Sequence, residues 1–151
     1  MNVRPASPDD AEELARIHAD MVGADTTGPW RGRLAEHLRQ HLGGARIAAF
    51  VVDDPEGGLA ACAMGVIHQG LPGPDHAGVF GQIQTVATEQ RFGRRGYGRA
   101  VTRALVDWLT GQGCTLLNLT ASDEGRPLYA SLGFTPNARA MRLVGKPFHR
   151  A

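Results

Sequence analysis

Arg91-Phe92-Gly93-Arg94-Arg95-Gly96-Tyr97-Gly98-Arg99 sets three glycines and four arginines between two apolar-rich runs, Val79 to Thr88 and Gly98 to Gln112. The first run reads as a strand and the second as an amphipathic helix. Glycine lets the backbone take φ > 0 and turn its N–H groups toward a ligand with no Cβ in the way. A helix start adds the positive end of its dipole. Strand, glycine turn and helix N-terminus in that order form an anion cradle. The guanidinium forks beside it favour a phosphorylated ligand over a plain carboxylate, because they grip phosphate bidentately and stay charged. Two rival readings use the same residues. A strand-to-helix turn with solvated arginines is the plainer one. A dinucleotide loop fits worse: Val101 stands where its third glycine belongs, and the stretch lies about two-thirds along the chain instead of in a first βα unit.

Working outward, the helix carries Val101, Ala104, Leu105, Trp108 and Leu109 on one face and Arg99, Thr102, Arg103 and Thr110 on the other. Past Gly111 and Gly113, Thr115 to Ala121 reads as a buried strand in a βαβ relation to Val79–Thr88. Ser122-Asp123-Glu124 caps a short helix with Pro127 in or near its first turn and Gly133 as its C′ residue. Phe134-Thr135 and Arg139 to Val144 are expected to close the fold as a strand pair. Upstream, Asn2 to Pro5 is a short strand, and Ser7-Pro8-Asp9-Asp10 starts a helix whose Leu14, Ile17 and Met21 form an apolar stripe ending near Gly23. Asp25 to Gly28 reads as a loop. A second helix runs from Pro29 to Leu42 with Trp30, Leu34, Leu38 and Leu42 on one face. Arg46–Asp53 and Leu59–His68 form a hairpin about Pro55-Glu56-Gly57-Gly58, and Gly70 to Gly78 is a flexible connection. The expectation is one mixed α/β domain, residues 1–151, around a central sheet.

The glycine loop resembles motif A of the GCN5-related N-acetyltransferase (GNAT) superfamily, an Arg/Gln-x-x-Gly-x-Gly/Ala loop after the fourth strand that holds the pyrophosphate of acetyl-CoA. Gly96 and Gly98 fall on its two small positions; Gly93 stands where Arg or Gln is usual, with Arg94 and Arg95 beside it. A second stretch, Leu128-Tyr129-Ala130-Ser131-Leu132-Gly133-Phe134, is similar to that family's Leu-Tyr-x-x-x-Gly-Phe signature. Just upstream Ser122 replaces the usual Asn and Gly125 the usual Ala. The order of elements resembles the family's over nearly the full chain. The resemblance implies a mostly antiparallel central sheet with one splayed parallel strand pair, flanked by helices.

It implies site residues as well. The backbone of Val86, Ala87 and Thr88 would bond the pantetheine arm of acetyl-CoA, and Arg94, Arg95, Gly96, Tyr97, Gly98 and Arg99 would surround its pyrophosphate. Tyr129 would be the general acid that protonates the departing CoA thiolate. The activity implied is N-acetylation of a primary amine, of a small molecule, by direct attack in a ternary complex; a catalytically weak CoA-binding or regulatory domain is the alternative. A homodimer is expected on the resemblance alone.

The acceptor ammonium must lose a proton before it attacks. Many members of the family it resembles place a Glu on the fourth strand for this, where this chain has Gln82 and Gln84, neither of them a base. His68, Asp75, His76 or a water molecule are the candidates that remain. His37 and His41 have the i, i+4 spacing of a zinc pair, but Leu38-Arg39-Gln40 between them lacks the Glu of a HExxH site and no third ligand is apparent, so no metal is expected. Trp30 either closes over a substrate or staples its helix to the core. The net charge of +1 gives no drive toward nucleic acid or membrane, and neither is expected as a partner. With no signal-type N-terminus and no run of 18 apolar residues, a cytoplasmic protein is expected. Cys62 and Cys114, in apolar settings without metal-type spacing, read as reduced, buried thiols.

Overall fold

The computed structural model describes residues 1–23 and 28–145. Its sheet has five strands in the order β1 (Val3–Pro5), β2 (Ile47–Asp53), β3 (Leu59–Gln69), β4 (Val79–Thr88) and β5 (Leu116–Asn118). Every neighbouring pair is antiparallel except β4 and β5, which run parallel. Helices α1 (Ala11–Val22) and α2 (Trp30–His41) cover one face, α3 (Tyr97–Gly111) covers the other, and the short α4 (Arg126–Ser131) follows β5.

β3 occupies the centre, and Leu59 to Gly65 is buried on both faces. That placement explains its composition, since Ala60, Ala61, Cys62 and Ala63 let helices approach closely from either side. Leu14 and Ile17 of α1 pack with Leu38 of α2 over Ala49, Val51, Cys62 and Met64. On the other face Val101, Leu105 and Leu109 of α3 pack on Val52, Ala61, Ala63 and Ile83. Thr102, expected on the solvent side of this helix, is fully buried; its hydroxyl donates to Gly98 O at 2.7 Å, which satisfies it without solvent. Cys62 and Cys114 are free and buried, and burial pushes the Cys62 thiol up to about 12.

Arg4 fastens the N-terminal strand, donating to both Asp10 and Asp53 at 2.8–2.9 Å. That partner holds the Asp10 carboxyl below its ordinary value. The helix expected from Ser7 begins instead as a 3-10 turn over Pro8–Asp10, whose Asp10 carboxylate accepts the Ser7 N–H at 2.9 Å, before α1 proper. Residues 25–27 of the expected Asp25–Gly28 loop lie outside the described residues.

The closing strands do not form. Phe134-Thr135 has no ladder partner, and Arg139 to Val144 is coil with Met141 and Leu143 almost fully exposed. An alternating apolar pattern specifies a strand only when a partner edge and a face to bury are within reach, and this segment packs on neither.

Candidate active site

The parallel ladder of β4 with β5 ends early. It spans only Phe80–Leu116, Gly81–Leu117 and Gln82–Asn118. Directly beyond it, β4 carries an extra residue: Gly65 faces Ile83 and Met64 faces Thr85, which leaves Gln84 bulged out of the ladder with β3. A bulge bends its strand and raises the local twist, so β4 leaves β5 and a gap opens between them. Two chambers occupy the region. The larger, about 550 Å³, is walled by Val86, Ala87 and Thr88 of β4, Gly98 of α3, and Leu128 and Tyr129 of α4. The smaller, about 280 Å³, is walled by Ile83, Gln84, Thr85 and Val86 of β4, with Leu119, Ser122 and Tyr129 opposite.

Glu89 N–H donates to Ala60 O at 2.8 Å. By the two-residue alternation of an antiparallel ladder, Ala87 turns its backbone groups toward β3, and Val86 and Thr88 turn theirs into the gap. Two of the three expected backbone positions therefore face the larger chamber with their N–H and C=O groups.

At the far end of that chamber the glycine loop forms a cradle. Arg94 and Gly96 both take left-handed backbone angles, φ 61° and 80°. Ala100 N–H reaches Gly96 O at 3.0 Å as the first bond of α3. The preceding N–H groups, Tyr97 to Arg99, have no partner one turn back and are free for an anion. Arg94, Arg95 and Arg99 are exposed and form no ion pair among the described residues, although Arg95 lies over the Phe92 ring, at 5.5 Å. Arg91 differs. It pairs with Asp54 and Glu56 of the β2–β3 turn and lies over the Phe92 ring at 4.7 Å, so its charge is spent in holding the loop. Tyr97 stacks on Phe92 at 5.5 Å, which makes its ring a packing element and leaves its backbone for a ligand.

Tyr129 belongs to the walls of both chambers. It is half-buried, meets Phe134 edge-on at 6.1 Å, and burial raises its pKa above the ordinary 10.0, so the phenol keeps its proton at neutral pH. A Cβ on Gly125 would come within 3.1 Å of the Tyr129 ring, so the glycine at this departure from the family signature makes room for the ring.

The sequence profile of the acetyltransferase (GNAT) family matches residues 15–134. The chain belongs to the GNAT family. No curated protein sequence matches it. Among solved structures it is similar to a Clostridium acetobutylicum protein described as a predicted acetyltransferase and solved with acetyl-CoA, at 20% identity and TM-score 0.83 over 95% of both chains. It is also similar to glucosamine-6-phosphate N-acetyltransferase of Arabidopsis thaliana, at 18% identity and TM-score 0.77 over 96% of this chain and 98% of that one. A third is an aminoglycoside acetyltransferase from an uncultured soil metagenomic sample in complex with sisomicin, at 15% identity and TM-score 0.74 over 97% and 96%. The GNAT sheet, with its one parallel pair, is the sheet this chain forms.

The three candidate bases, His68, Asp75 and His76, lie toward the other end of β4 from Val86. His68 pairs with Phe80, at the opposite end of β3 and β4 from Val86. Six residues at roughly 3.4 Å each set it about 20 Å from Val86, and three set it about 10 Å from Ile83, where the gap opens. Asp75 and His76 lie further on in the β3–β4 connection, where His76 Nδ1 accepts the Gly78 N–H at 3.0 Å and its ring lies 5.7 Å from Phe80. Trp30, at the start of α2, lines neither chamber. His37 and His41 stand exposed with ring centroids 4.5 Å apart, and among the described residues no group of three His, Cys, Asp or Glu could hold a metal. No described helix is long and apolar enough to cross a membrane.

Sequence reasoning passed over one histidine. His18 of α1 reaches the sheet, with Nδ1 2.6 Å from the hydroxyl of Thr85; Thr85 belongs to the wall of the smaller chamber and His18 stands behind it. Only the spacing of Leu14, Ile17, His18 and Met21 on one helical stripe could have flagged it.

Proposed function

We propose that this GNAT protein transfers an acetyl group from acetyl-CoA to the primary amine of a small molecule, with both substrates bound together. One observation carries the reading: Tyr129 stands on the wall shared by two chambers that meet where β4 leaves β5. The larger chamber runs from the cradle at Gly98 to Tyr129, the path required of an anionic head and an extended arm. The smaller one takes the acceptor.

Acetyl-CoA supplies an acyl group activated as a thioester. Backbone N–H groups at Tyr97 to Arg99 and the exposed Arg94, Arg95 and Arg99 hold its phosphates. The inward-turned backbone of Val86 and Thr88 bonds the arm as a further strand would. Tyr129 holds a proton on Oη for the sulfur as the carbon–sulfur bond breaks. Among the described residues the smaller chamber's wall, with Gln84, Thr85, Thr120, Ser122, Met21 and Leu119, bears no carboxylate, which favours a compact, weakly charged amine over a polycation.

The test is release of free CoA from acetyl-CoA across a panel of primary amines, beside calorimetric titration with CoA. Binding with amine-dependent release is the expected result. Binding without release from any amine would leave a CoA-binding regulatory domain, and absence of binding would overturn both.

A further inference from the structure

We infer that Thr85 and His18 form a hydroxyl–imidazole relay that takes the proton from the acceptor ammonium. The inference rests on the acetyl-transfer reading above and assigns the base that Gln82 and Gln84 cannot supply.

Among the described residues two polar residues are buried as a whole, Thr85 at 1% exposure and Thr102. Thr102 is accounted for by its bond to Gly98 O within α3. Thr85 is not explained by packing. It sits in a central stretch of β4 where valine would fill the same volume, and its hydroxyl is turned to His18 Nδ1 at 2.6 Å. A helix–sheet clamp needs no such bond, because burying a hydroxyl and an imidazole together carries a desolvation cost that an apolar pair avoids. The bulge at Gln84 is what turns Thr85 to α1. Without it, Thr85 and Ile83, two residues apart, would face the same side.

Thr85 lines the smaller chamber together with Tyr129. Acid and base would thus stand in one chamber, Tyr129 toward the sulfur and Thr85 toward the nitrogen. The half-buried ring of His18 keeps a path to solvent. In the step, the ammonium gives a proton to Thr85 Oγ1 as that hydroxyl gives its own to His18 Nδ1. The nitrogen lone pair is then free to form the bond to the acetyl carbon, Thr85 ends unchanged, and the imidazolium returns the proton to solvent. The charged groups on the surrounding elements are engaged elsewhere. Arg16 is paired with Glu13, Asp20 and Glu89, and Arg39 of α2 with Glu12 and Glu36. Burial alone lowers the His18 pKa, so the ring is neutral and able to accept at pH 7.

The relay needs His18 at rest to carry its proton on Nε2 and to accept at Nδ1. Nitrogen-15 NMR of the wild-type imidazoles reads that tautomer directly, and an Nδ1–H resting form would overturn the relay whatever any variant does. Kinetics give the second arm, as kcat/KM for a confirmed amine against pH, with CoA affinity measured in parallel. Thr85→Val and His18→Gln should lose about 10²-fold in kcat/KM and the acidic limb of the profile, with CoA affinity unchanged, while Thr85→Ser retains both. Unaltered rate and limb in Thr85→Val and His18→Gln would overturn the relay and leave acetyl transfer standing. Wild type that turns over no amine would overturn acetyl transfer itself.

Discussion

Replacing Tyr129 by phenylalanine isolates one proton. The ring stays, with its edge contact to Phe134 at 6.1 Å and its place over Gly125, and the hydroxyl makes no hydrogen bond to any described residue. Stability should therefore change by under about 0.5 kcal/mol, a shift in Tm of no more than about 2 °C for a chain of this size. The thiol of CoA, with an ordinary thiol pKa near 8.5, is a fair leaving group even unprotonated. The loss in kcat should then fall at the low end of the general-acid range, about 10²-fold, or about 2.7 kcal/mol of transition-state stabilisation. KM for acetyl-CoA should hardly move, since the hydroxyl acts on charge that develops only as the bond breaks. Direction of titration adds a check. Burial raises this phenol above 10.0, so wild-type kcat should stay level through neutral pH and fall only above that value, a limb the phenylalanine variant lacks. Steady-state kinetics of the purified variant across pH is the assay. Full kcat, or an alkaline limb that survives the substitution, would show that another group or water protonates the sulfur.

Gly96→Val puts a branched side chain at φ 80° where a Cβ meets no protein atom, so the fold should lose about 1–2 kcal/mol while CoA binding, followed by calorimetry, disappears. CoA affinity should fall with rising salt, more steeply in wild type than in an Arg94→Ala, Arg95→Ala double variant, and equal slopes would make the cluster ordinary surface charge. Gly81→Ala would place a Cβ 2.7 Å from Leu117 Cδ2 and 3.2 Å from Leu109, in the middle of the short β4–β5 ladder, and should cost about 1–3 kcal/mol in thermal unfolding. Cys62, its thiol held neutral up to about 12, should resist alkylation in the native protein at pH 8 and react only at the rate of unfolding, as mass spectrometry would record.

The sequence carried the parts of the fold whose signals are local. Periodicity marked α1 to α3, glycine and proline marked the turns, and the two motifs marked the cradle and Tyr129, because backbone angle and helix spacing are written into consecutive residues. What it did not carry depends on distance across the sheet. Whether His68 lies near Val86 is decided by antiparallel pairing, which sends the end of β3 to the start of β4. That Arg91 is occupied depends on Asp54 and Glu56, more than thirty residues earlier. Thr85 meeting His18 requires a bulge that no residue type announces, and the failed strand at Arg139–Val144 shows that a pattern for pairing is not itself a partner.

Gln84 makes β4 a strand of two parities. Before it, odd-numbered residues such as Gly81 and Ile83 face α3; after it, odd-numbered Thr85 and Ala87 face α1. The chemistry of the gap thus hangs on a count as much as on any side chain. Shortening β4 by this one residue would let the strand run straight and continue beside β5, closing the space for a ligand while the cradle, α4 and Tyr129 keep every residue they have. Engineering that aligns this strand position by position, blind to its length, would erase the site without altering a single residue of the two motifs.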